Sequence, residues 1–98
     1  MAIKEKDIEK HLTNEIKKLG GFTRKVQWIG RRGAPDRIVF FRGIHFIELK
    51  KPKPEGRLSV GQKREINRMT ENGADVWVLY NKDEVDFFIE HTLKITDE

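Results

Sequence analysis

Apolar residues Ile8, Leu12, Ile16 and Leu19 recur every three or four positions through KEKDIEKHLTNEIKKL (residues 4–19). This spacing predicts an amphipathic helix, which Gly20 and Gly21 end. The pattern then changes. FTRKVQWI (22–29) is rich in β-formers and predicts a first strand, followed by the basic glycine loop GRRGAP. Pro35 biases Ala34 toward extended backbone, so a second strand starts near Asp36. DRIVFF (36–41) and IHFIELK (44–50) read as a hairpin across Arg42-Gly43, and KPKPEGRL as a loop. Ser59 and Gln62 form a capping box that opens a helix running to about Asn72. DVWVLY (75–80) is a further strand, and Asn81 begins a last helix to about residue 91. The order αβββαβα, without internal repeat or long linker, is that of one α/β domain over residues 1–98.

The hairpin carries charges where its strands are most apolar. Glu48 and Lys50 stand two residues apart and so share a face. Asp36 joins them under one register only. A three-residue loop, Phe41-Arg42-Gly43 with Gly43 left-handed, pairs 40 with 44, 38 with 46 and 36 with 48. A two-residue Arg42-Gly43 turn sends the two carboxylates to opposite faces. Facing carboxylates repel and call for a cation, and a hard divalent ion suits them. Apolar residues on both strand faces (Val39, Phe41, Ile47 and Leu49; Ile38, Phe40, Ile44 and Phe46) predict a sheet covered on both sides. The plainer reading of Asp36, Glu48 and Lys50 is a surface ion pair beside a strand start.

Composition narrows the class. Ninety-eight residues bury only roughly 60–70% of the surface the unfolded chain exposes, enough for one modest core. Hydrophobic and charged residues each make up 37% of the chain, and the formal charge is +4. That balance describes a globular domain with a charged surface and mildly favours a polyanionic partner. There is no cysteine, hence no disulfide or thiolate metal site, and His11, His45 and His91 are too scattered for zinc. MAIKEKDIEK is charged where a signal peptide needs an apolar core, and runs such as IVFF and VWVLY are short of a membrane span. A soluble intracellular, cytoplasmic protein without membrane contact is expected.

Pro35-Asp36 followed by Glu48-x-Lys50 resembles the PD-(D/E)xK phosphodiesterase superfamily, the restriction-endonuclease-like nucleases. The longer stretch GAPDRIVFFRGIHFIELKKPKPEGRLSVGQ is similar to the virus-type replication-repair nuclease (VRR-NUC) domain: Gly-x-Pro-Asp, strand-Gly-strand, Glu-x-Lys-x-Pro, Gly-x-Leu-Ser and a downstream Gln. The likeness extends from about Glu5 to about Tyr80 and reads as a stand-alone copy of a module that larger proteins carry as a terminal domain, in a chain expected to be phage-encoded. It implies a restriction-endonuclease-like core with a mixed sheet and helices on both faces. It implies Asp36 and Glu48 as ligands of Mg2+ or Mn2+, with the Leu49 carbonyl as a further ligand, Lys50 beside the attacking water, and no organic cofactor.

Superfamily members often add an acid from the first helix, and Glu5, Glu9 and Glu15 compete for that place. At 100° per residue they lie about 25°, 65° and 55° from the centre of the apolar stripe, which favours Glu5. A first-turn Glu is also simply favoured by the helix dipole. Gln62 matches the downstream Gln, although a capping role already accounts for it. Arg31, Arg32, Arg37, Lys51, Lys53, Arg57 and Lys63, with Arg24, Lys25 and Arg64, would follow phosphates beside the cut. Trp28 and Trp77 read as packing residues rather than base-stacking ones. Phe87, Phe88 and Ile89 leave apolar surface that motivates a homodimer.

The expected function is a Mg/Mn-dependent endodeoxyribonuclease acting on branched DNA such as four-way (Holliday) junctions in repair or recombination. The competing readings are a non-catalytic DNA-binding module that keeps the fold, or a nuclease for flap, fork or RNA substrates.

Overall fold

The computed structural model describes residues 3 to 92. Its elements are α1 (Glu5–Lys18), β1 (Phe22–Lys25), β2 (Arg37–Phe40), β3 (Ile44–Leu49), α2 (Val60–Glu71), β4 (Val76–Leu79) and α3 (Lys82–Phe87), the last continued by a wider π-helical segment, Phe88–Thr92. The strands form one mixed sheet in the order β1-β2-β3-β4. The first three are antiparallel, and β4 is parallel to β3 because α2 carries the chain back across the sheet.

Strand parity sorts the core. Val39, Ile47, Leu49 and Leu79 share one sheet face and pack with Ile8, Leu12 and Ile16 of α1 and with Val85, Phe88 and Ile89. The α1 stripe read from the sequence is fully buried at its first three positions. Phe88 and Ile89 correct an expectation: they belong to this core at 0% and 8% exposure, and only Phe87 of that trio faces outward, at 52%. On the other face α2 reaches β4 and Glu48. It leaves Phe22 and Ile44, toward the far edge and the hairpin turn, about half exposed.

The first strand is shorter than 22–29. In the β1/β2 register, residues 27 and 29 would face Pro35 and Gly33. Pro35 has no N–H to donate and Gly33 has a positive φ of 94°, so after the Val26 N–H to Asp36 carbonyl bond (3.0 Å) the ladder stops. Trp28 and Ile29 therefore lie on the loop, the latter fully exposed.

His45 ties the hairpin to the neighbouring strand. It is buried, its Nδ1 lies 2.6 Å from an Asp75 carboxylate oxygen and its Nε2 3.2 Å from the Phe41 carbonyl. Trp77 donates its indole N–H to the other Asp75 oxygen and packs against Phe88, consistent with a packing residue.

Candidate active site

The hairpin adopts the three-residue loop. Phe40 faces Ile44 and Ile38 faces Phe46, the register that puts Asp36 and Glu48 at the same end. The turn differs in detail, because Arg42 takes the left-handed φ of 48° while Gly43 sits at 114°. The start of β2 also departs from the expected 36-to-48 pairing. The ladder ends at Arg37 facing Ile47, and the Asp36 N–H donates to that same Ile47 carbonyl at 3.0 Å, so the chain slips by one position. An Asp36 carboxylate oxygen then accepts the Leu49 N–H at 2.7 Å, in place of a backbone ladder bond.

Glu48 comes from the most buried strand of the sheet and is itself 2% exposed. Its Oε2 accepts from Gln62 Nε2 at 2.7 Å and lies 3.5 Å from Lys50 Nζ, while its buried Oε1 has no hydrogen-bond partner. Burial above all, then the charge of Asp36 and the close approach of its carboxyl, push the Glu48 pKa up to about 8 against the opposing pull of Lys50. One ammonium group is too little positive charge for this pair, and near neutral pH the pair holds a proton instead.

The two readings of Gln62 prove compatible. Its Oε1 accepts the Ser59 N–H at 2.9 Å, its own N–H reaches Ser59 Oγ at 3.0 Å, and its Nε2 remains to hold Glu48. The cap fixes the side chain that positions the carboxylate.

Of the three first-helix acids, Glu9 is paired with Arg37 at 2.7 Å and Glu15 with Lys18 at 2.8 Å. Glu5 is exposed on the helix surface, and its pKa is raised by partial desolvation and then by the charge of Asp36, and lowered by Lys50. Among the described residues, no group of three or more Asp, Glu, His or Cys side chains has metal-holding geometry. Two carboxylates, one with a buried unpartnered oxygen, fit a hard divalent ion that keeps several waters and takes few protein ligands.

The basic residues divide. Arg32, Lys51, Lys53, Arg57 and Lys63 are exposed, as expected of groups meeting a polyanion. Arg31 is half exposed but bonded to Glu65 at 3.2 and 3.3 Å. Arg37 is the correction: its guanidinium is bound to Glu9 and Thr23 and only 18% exposed, so it braces α1 against β1 and β2 rather than facing outward.

The chain is 42% identical over 85 residues to "Putative nuclease p44" of Acyrthosiphon pisum secondary endosymbiont phage 1, covering 83% of this chain and 87% of that protein. It superposes on a solved structure described as a VRR_NUC domain with a TM-score of 0.84 at 39% identity, over 92% of this chain and 98% of the other. The chain belongs to the VRR-NUC family. No protein-family model matches it.

Two features of this VRR-NUC chain were not drawn from its sequence. Glu65, buried on α2, anchors Arg31, and a Cβ on Gly33 would press on Glu65 and the Gly61 carbonyl at 3.2 and 3.3 Å. The basic loop is thus seated on α2. Gly56, in the family's Gly-x-Leu-Ser pattern, lies against the Lys51 backbone with no room for a Cβ. A glycine inside a charged loop carried the only signal for it.

Proposed function

We propose that this VRR-NUC protein is a divalent-metal-dependent nuclease that hydrolyses phosphodiester bonds of DNA. The observation carrying this reading is the buried Glu48 carboxyl with an unpartnered Oε1, held against Asp36 with Lys50 Nζ 3.5 Å from its other oxygen. Asp36, Glu48 and the Leu49 carbonyl are the groups that would hold Mg2+ or Mn2+. When bound, such an ion supplies Lewis-acid polarisation of the phosphate and of a water.

The residues of the chain do the rest. Lys50 orients the attacking water and offsets negative charge on the phosphate as the water oxygen bonds to phosphorus and the bond to the leaving strand oxygen breaks. Gln62 keeps Glu48 aimed, and Glu5 stands by as a further proton acceptor near Asp36 and Lys50. Arg31, Arg32, Lys51, Lys53, Arg57 and Lys63 attract the backbone without reading bases.

The substrate we infer is branched DNA, four-way junctions first, met by a homodimer in repair or recombination. The half-exposed Phe22 and Ile44 on one sheet face, with Phe87, support a second copy as partner. The test is a cleavage panel of linear, flap, fork and four-way DNA with magnesium or manganese. Wild type should cut the branched substrates best and Lys50→Ala should lose at least about a hundredfold in rate. Unchanged cleavage by Lys50→Ala would sink the assignment.

A further inference from the structure

Both residues that follow the site's supports also line a cavity. Lys63 follows Gln62 on α2, and Tyr80 follows Leu79, whose carbonyl accepts the Lys50 N–H at 3.0 Å. With Lys53, Pro54, Arg57 and Leu58 of the loop after β3, they line a pocket of 370 Å³. That volume falls within the roughly 300–1,000 Å³ typical of small-ligand sites. The Tyr80 backbone is anchored, because its N–H donates to Glu84 Oε1 at 2.8 Å in the first turn of α3. Lys53 Nζ lies 4.6 Å from the centre of its ring.

The lining has two chemistries. Lys53, Arg57 and Lys63 bring positive charge, Pro54, Leu58 and the Tyr80 ring an apolar surface, and among the described residues no carboxylate lines the pocket. A bare anion would leave the apolar part unused, and an apolar molecule would leave the cations unpaired. A nucleotide uses both, its base against the ring and its phosphate among the cations.

We propose that this pocket takes one unstacked nucleotide of the substrate strand, adjacent to the phosphodiester at Asp36 and Glu48. The proposal rests on the nuclease reading for the identity of its ligand. Tyr80 stacks on the base, and Lys53 leaves the ring for the phosphate as the base arrives. Because unstacking costs least where bases are already unpaired or mismatched, the pocket favours branch points over continuous duplex and gives the site a source of structure selectivity.

The test is equilibrium binding, in EDTA so that hydrolysis plays no part, of a short single-stranded DNA carrying 2-aminopurine, whose fluorescence reports stacking. Tyr80→Ala should weaken binding roughly 5- to 150-fold and abolish the fluorescence change, while Tyr80→Phe keeps both. Arg57→Ala, altering an exposed side chain, should lower affinity and reduce the salt dependence by about one phosphate contact. Wild-type affinity in Tyr80→Ala, or a Tyr80→Phe as weak as the alanine variant, overturns the pocket. Such a result beside intact branched-DNA cleavage leaves the nuclease reading standing. Tyr80-dependent binding by a protein that cuts nothing keeps the pocket and removes the nuclease.

Discussion

At the scale of single residues, Glu48 ties chemistry to stability. Its folded pKa of about 8 lies above the ordinary glutamate value of 4.5, so between those pH values the folded chain holds a proton that the unfolded chain has released. Without metal, stability should therefore be highest below about pH 4.5 as far as this group is concerned, fall as pH rises, and level off above about 8. Glu48→Gln, which keeps the shape without the charge, should flatten that decline in urea titrations at a series of pH values. Magnesium should raise the Tm of the wild type, by more as pH rises and Glu48 ionises, and Glu48→Gln should remove that rise. A metal-free stability that climbs across pH 5 to 8, and does so equally in Glu48→Gln, would contradict the buried shared proton.

At the scale of elements, the loop after β3 works as a closed strap. It leaves the sheet at Lys50 and returns at Ser59 to start α2, the helix that supplies Gln62, and its closure depends on Gly56 lying against Lys51. Gly56→Ala should displace that backbone, costing on the order of 1–3 kcal/mol and lowering cleavage more than DNA affinity, since Gln62 loses its aim while the cations stay on the surface. Thermal melts and cleavage rates measured on the same preparation would show it, and wild-type values for both would mean that the loop yields without consequence. The strap also explains what was legible here. Ser59 and Gln62 gave the start of α2 because a capping box is local. That the far end of Gln62 meets Glu48 needed the return of the chain across the sheet.

At the scale of the whole molecule, one sheet face is sealed by α1 and α3, while Phe22 and Ile44 on other parts of the surface stay about half exposed. If a second copy covers them, sedimentation should show a dimer at micromolar concentration, and Phe22→Asp with Ile44→Asp should shift it to monomer. A wild type that remains monomeric at every concentration, with and without junction DNA, would refute the dimer. The sequence pointed to a dimer through Phe87, Phe88 and Ile89, yet Phe88 and Ile89 turned inward. A short helix shows its apolar residues in sequence but not which of them its neighbours will cover.

The sequence by itself determined the α1 stripe, the element order and the hairpin, and reduced the placement of Asp36 against Glu48 to a choice between two turn lengths. Each of these follows from a local period of 3.6 or 2 residues, from a turn length or from a cap. Only the tertiary structure decided that Arg37 is taken up by Glu9, that Asp36 slips one position to receive the Leu49 N–H, that Gln62 holds Glu48, and that Glu48 is buried deeply enough to keep a proton. Desolvation and charge pairing depend on atoms delivered from distant parts of the chain, and no local period encodes where those atoms arrive.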